Sequence, residues 1–115
     1  MAQTIRDLIK EKASILSDMD AVGTEKASQE LVELSSLLAS IGKECVDRKA
    51  WYAIRKMELL KEHGSAAKAT IYAEASSEYK DWLEAEEYRK AVIEMMRAIK
   101  YFLRNSETEL KESKY

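Results

Sequence analysis

No proline interrupts this chain, and only Gly23, Gly42 and Gly64 punctuate its 115 residues. Proline breaks helices most strongly and glycine next, so a chain this poor in both is free to form long helices. The same composition argues against a β-sandwich, which needs many Gly/Pro turns. With 46% hydrophobic and 35% charged residues the chain has enough for a core and for a solvated helical surface. Its length fits one helical domain spanning residues 1–115.

Apolar spacing locates the helices. Ile5, Leu8, Ile9, Ile15, Leu16 and Met19 form one stripe and predict a first helix over about 4–20. Thr4 is its N-cap, with Asp7 at the capping-box position, and Val22-Gly23 ends it. Thr24 caps a second helix over about 25–62. The first part of that helix reads Leu31, Leu34, Leu38, Ile41, Cys45, the 3-4 spacing of a seam packed on a near-parallel partner. The second part reads Val46, Ala50, Ala53, Met57, Leu60, similarly spaced but offset by one residue. Gly42 stands just before the offset and predicts a kink, with a full break as the alternative. His63-Gly64-Ser65 is the clearest turn: Gly64 suits a left-handed C′ position and Ser65 an N-cap. A third helix follows over about 66–104, with Tyr72, Ala75, Tyr79 and Trp82 as one seam and Val92, Met96, Ile99 and Leu103 as another. Residues 105–115 read as a polar tail that frays.

Two long helices joined by so short a turn run antiparallel. Charge supports this independently. Residues 43–61 carry a net +3, residues 62–87 a net −5, residues 88–104 a net +4 and residues 1–42 a net −3. Folding at Gly64 sets basic blocks beside acidic ones. The first helix is too short to follow the whole hairpin, so it docks at the open end. There Tyr88, Ala91, Met95, Ala98 and Phe102 give the third helix a second apolar face. The expected fold is all-α: a long antiparallel helical hairpin with a shorter N-terminal helix docked at its open end.

Near the turn, two helices alone must accommodate Trp51, Tyr52, Ile54, Tyr72, Tyr79, Trp82 and Leu83. An apolar patch of that size marks an interface. The expectation is self-association, most simply a two-fold dimer completing a four-helix bundle, through Trp51, Tyr52, Tyr72, Tyr79 and Trp82.

Chemistry is sparse, and no enzyme and no cofactor are expected. His63 is the only imidazole and falls in a turn; Cys-x-x-Cys, His-x-x-x-His and Glu-x-x-His spacings are absent, so no metal site is expected. Cys45 lies on the predicted seam and reads as a small buried hydrophobe. Glu84, Glu86 and Glu87 read as a solvated face, and no phosphate-cradling Gly-rich loop occurs. Nucleic acid is the main competitor to a protein partner. Arg89, Lys90, Arg97, Lys100 and Arg104 interleave with Tyr88, Tyr101 and Phe102, as in single-strand binders. The net charge of −2 and the alternating blocks favour internal pairing of these cations instead. No stretch reaches the roughly 18–20 apolar residues of a membrane span. The N-terminus has no signal-peptide pattern and the lone cysteine suggests no disulfide, so a cytoplasmic protein is expected.

The stretch Ala73-Glu74-Ala75-Ser76-Ser77-Glu78-Tyr79-Lys80-Asp81-Trp82-Leu83-Glu84-Ala85, then Arg89-Lys90 and the ending Glu107-Thr108-Glu109-Leu110-Lys111-Glu112-Ser113-Lys114-Tyr115, carries a resemblance. Residues 64–115 resemble small helical accessory proteins from the early, recombination or replication regions of tailed bacteriophages and prophages. The resemblance implies an accessory protein acting with a phage or host partner. It assigns no catalytic or binding residue.

Overall fold

The computed structural model describes residues 4–113, the last four by backbone alone. The chain is all-α: α1 (Ile5–Leu16), α2 (Met19–His63), α3 (Ala66–Glu74) and α4 (Ser77–Ser113). Among the described residues there is no strand. Two compact units form. One draws on the chain up to Ala39 and from Lys90 onward; the other is Ser40–Arg89. Both α2 and α4 contribute to each.

In the first unit, the Thr4 side chain accepts from the Asp7 amide at 3.1 Å and caps α1 as its sequence requires. The helix stops at Leu16, four residues earlier than its apolar stripe suggests. The cause is local: the Ser17 hydroxyl donates to the Ser14 carbonyl at 2.7 Å, and Asp18 Oδ1 accepts from the Ala21 amide at 3.3 Å. Gly23 then breaks the helical path with φ 79°, conformational space that glycine enters without a Cβ penalty. Ala27, Leu34, Val92 and Ile99 are buried here. Among them lies Glu30, also fully buried. Lys12 reaches it from α1 at 2.8 Å and Lys26 from the preceding turn of α2 at 3.1 Å. Lys12 also pairs with Glu33. Burial opposes ionisation of Glu30, but the two ammonium groups outweigh it and hold the carboxyl below its ordinary value.

In the second unit the chain reverses at Gly64, φ 67°, whose amide donates to the Leu60 carbonyl at 2.8 Å. The Ser65 side chain accepts from the Lys68 amide and starts α3. Helix α2 passes through Gly42 without a kink or break; its only non-helical backbone is at Gly23. The buried stripe of α2 keeps its 3-4 spacing through this point, as Ile41, Cys45, then Arg48, Tyr52 and Leu59. Gly42 therefore marks no change of register. Leu59, Ala69 and Ala73 form the core nearest the turn, with Tyr52 packed against them.

The predicted third helix is two helices. At Ala75-Ser76 the amides donate to the Tyr72 and Ala73 carbonyls, three residues back, so the last turn tightens. The Ser76 hydroxyl donates to the Ala73 carbonyl and accepts from the Tyr79 amide, ending α3 and capping α4. The break turns Ala69 and Ala73 inward and leaves Tyr72 and Ala75 exposed, which dissolves the single seam expected of Tyr72, Ala75, Tyr79 and Trp82. The polar tail is helical to Ser113, because Glu107, Glu109 and Lys111 continue the helix readily; the Thr108 hydroxyl donates to the Arg104 carbonyl.

Two outcomes follow. A Cβ at Gly42 meets nothing within 4 Å, so Gly42→Ala should stabilise the protein by about 1 kcal/mol and raise Tm by about 4 °C in thermal circular dichroism. The Glu30 contribution is fully present above the ordinary carboxylate pKa and is lost as pH falls through its depressed folded-state value. Urea midpoints should therefore drop steeply below about pH 4, and Glu30→Gln should flatten that drop.

Candidate protein-interaction surface

The hairpin unit covers part of its aromatic patch by itself. Tyr52 of α2 packs against Tyr79 and Trp82 of α4, with ring centroids 5.2 and 5.5 Å apart, and Tyr79 meets Trp82 edge-on at 6.1 Å. All three are half-buried. Lys49 caps the group with its ammonium 5.7 Å from the Trp82 ring. Arg48 locks the helices beside it, donating to the Asp81 carbonyl at 2.9 Å and pairing with Glu44 and Glu84. The pair with Glu84 is the basic-on-acidic contact that the charge blocks imply. The other two aromatics stay outside: Trp51 is 56% exposed, and Tyr72 is 51% exposed with His63 stacked on it at 4.4 Å. The five proposed interface residues thus divide into an internal clamp of Tyr52, Tyr79 and Trp82 and two separate surface aromatics.

The larger open surface is on α2. Val46 (69% exposed), Met57 (63%) and Leu60 (44%) stand in line with the exposed Ala50 and Ala53. This is the 4-3-4-3 spacing of a coiled-coil seam. At about 100° per residue it runs roughly 100° around α2 from the buried Cys45-Tyr52-Leu59 stripe. Shallow apolar and mixed grooves extend it at both ends, one lined by Met57, Leu60, Ala66 and Ala69, the other by Gly42, Val46, Glu86 and Arg89. Sequence spacing alone identifies these residues but places them in the hairpin core. The signal that separates the two stripes is the unbroken 3-4 run through Arg48 and Tyr52, two residues whose polar groups disguise it.

Arg89 belongs to the hairpin unit and Lys90, Arg97, Lys100 and Arg104 to the other. Arg89 pairs with Glu86 and Arg97 with Glu94, each one turn away on the same helix, so these two cations are balanced along α4 rather than across the hairpin. Arg97, Lys100 and Arg104 do share one exposed face with Tyr101, itself 67% exposed.

Cys45 is buried, and burial with the neighbouring Glu86 pushes its thiol above the ordinary value. Among the described residues no cluster of His, Cys, Asp or Glu has the geometry to hold a metal, and no helix is long and apolar enough to cross a membrane. No family model matches the chain, and comparison with curated proteins and with solved structures finds no significant match either.

The indole N–H of Trp82 is buried without an acceptor among the described residues. Trp82→Phe keeps the ring contacts and removes that orphan donor, so its stability should stay within about 1 kcal/mol of the parent, whereas Trp82→Ala should cost about 3 kcal/mol. Urea unfolding followed by far-UV circular dichroism separates the two.

Proposed function

We propose that this chain is a non-enzymatic helical protein-interaction module that self-associates through the open seam of α2. The supporting observation is that Val46, Ala50, Ala53, Met57 and Leu60 are all solvent-facing at coiled-coil spacing. Their sizes read large, small, small, large from Val46 to Met57, a pattern symmetric about its centre. Laid antiparallel on a second copy, Ala50 meets Ala53 and Val46 meets Met57, so a two-fold axis lets the backbones approach closely at the alanines. Trp51 lies on another face of α2, about 140° around from the seam and beside Ile54, Arg55 and Glu58, and takes no part in this pairing. The phage accessory role that the resemblance of residues 64–115 implies is compatible with such a module.

A second reading draws on Arg97, Lys100, Tyr101 and Arg104: one exposed aromatic among three cations is a minimal platform for a single nucleic-acid strand. It requires saturable, salt-weakened binding of labelled single-stranded DNA by fluorescence anisotropy.

The self-association reading is tested by light scattering after gel filtration. The parent should run at the mass of two chains. Ala53→Glu, placing a charge at the centre of the seam where the isolated chain has open solvent, should run at the mass of one with unchanged helix content. A parent at single-chain mass across micromolar to millimolar concentration removes the proposal.

A further inference from the structure

We infer that the open seam of α2 is matched to a partner helix whose own apolar stripe is flanked by acidic residues. The inference rests on the reading above in using the same face; it does not need the dimer itself. The seam is bordered by Lys49 and Lys56 on one side and by Asp47, Ile54 and Lys61 on the other, and Lys43 continues its line one turn before Val46. Asp47 is the one acid among these border positions. The remaining acids of this stretch of α2 turn away from it: Glu44 pairs with Arg48 and Glu58 with Arg55. At the groove near Gly42, Glu86 is neutralised by Arg89 at 3.6 Å. The face is therefore apolar at its centre and basic along its Lys49–Lys56 edge.

Self-pairing fits the apolar centre and opposes the basic edge. In the antiparallel register that matches Ala50 to Ala53, Lys49 of one copy lies alongside Lys56 of the other, twice by symmetry. Like charges at such flanking positions are a device that selects against a pairing. A helix with small and aliphatic residues along its seam and glutamate or aspartate at its flanks keeps the apolar contact and replaces each lysine–lysine meeting by an attractive one. The homodimer keeps this like-charge contact and is strengthened by salt. The acidic partner binds more tightly and is weakened by salt.

The test uses two fluorescein-labelled synthetic helices of equal length. Both carry leucine and alanine at the seam positions; one has glutamate and the other lysine at every flanking position. Anisotropy titrations with the full chain should show the glutamate helix binding at least about tenfold more tightly, with affinity falling as salt rises. The charge-reversed variant Lys43→Glu, Lys56→Glu, Lys61→Glu should invert the preference; Lys49 is left in place because it sits over Trp82. Equal affinity for the two helices, or a preference that the reversed variant does not change, overturns the inference. A chain that is a monomer alone yet selects the glutamate helix supports it while removing self-association. A stable dimer that ignores both helices overturns it and leaves self-association standing.

Discussion

A helix packed against a single antiparallel neighbour can cover only one of its stripes, and α2 carries two. That constraint governs the Ser40–Arg89 unit. One stripe, through Ile41, Cys45, Tyr52 and Leu59, turns toward α3 and the start of α4; the other, through Val46, Ala53 and Met57, faces water. Burying both needs another helix, and every one this unit possesses is already in use. Exposed valine and methionine at coiled-coil spacing over four turns differ from the scattered apolar residues of an ordinary surface, because they share a direction and a repeat.

The covered stripe does not depend on the open one. Tyr52 holds α2 to α4 through two aromatic neighbours, and Arg48 adds a charge-assisted bond to a backbone carbonyl. Neither uses a seam residue. The hairpin contacts are therefore independent of whatever lies against the seam. The other unit is fixed by a different device. A buried carboxylate contributes little net stability, but leaving one unpaired costs about 3–5 kcal/mol. Glu30 therefore ties α1 to the one docking position in which Lys12 reaches it.

Much of this was legible in the sequence because helix chemistry is local. The absence of proline, the caps at Thr4 and Ser65 and the turn at Gly64 each act within a few residues. The errors arise where short-range hydrogen bonding competes with apolar spacing. Ser17-Asp18 and Ser76 are small polar residues inside otherwise helical patterns, and in both places their side chains capture backbone groups and end a helix that periodicity alone would continue. Gly42 misleads in the opposite direction, since its low propensity is overridden by the long helix on either side.

The candidate surface was half legible for a related reason. Hydrophobic spacing says that a stripe exists, not which of two stripes faces inward. Aromatic size drew attention to Tyr52, Tyr79 and Trp82, yet large rings are also what a two-helix unit uses to fill its own thin core. The small residues Ala50 and Ala53 carry little hydrophobic signal, and their importance appears only with the exposure of Val46 and Met57 on either side. What separates the two stripes is the run of Ile41, Cys45, Arg48, Tyr52 and Leu59, which keeps one 3-4 spacing through an arginine that bonds to the Asp81 carbonyl and a tyrosine that packs on Tyr79 and Trp82. Both carry polar groups, so apolar counting passes over them and favours the outer stripe, whose members are all apolar. Continuity of the repeat, more than the hydrophobicity of its members, tells the inner seam from the outer one.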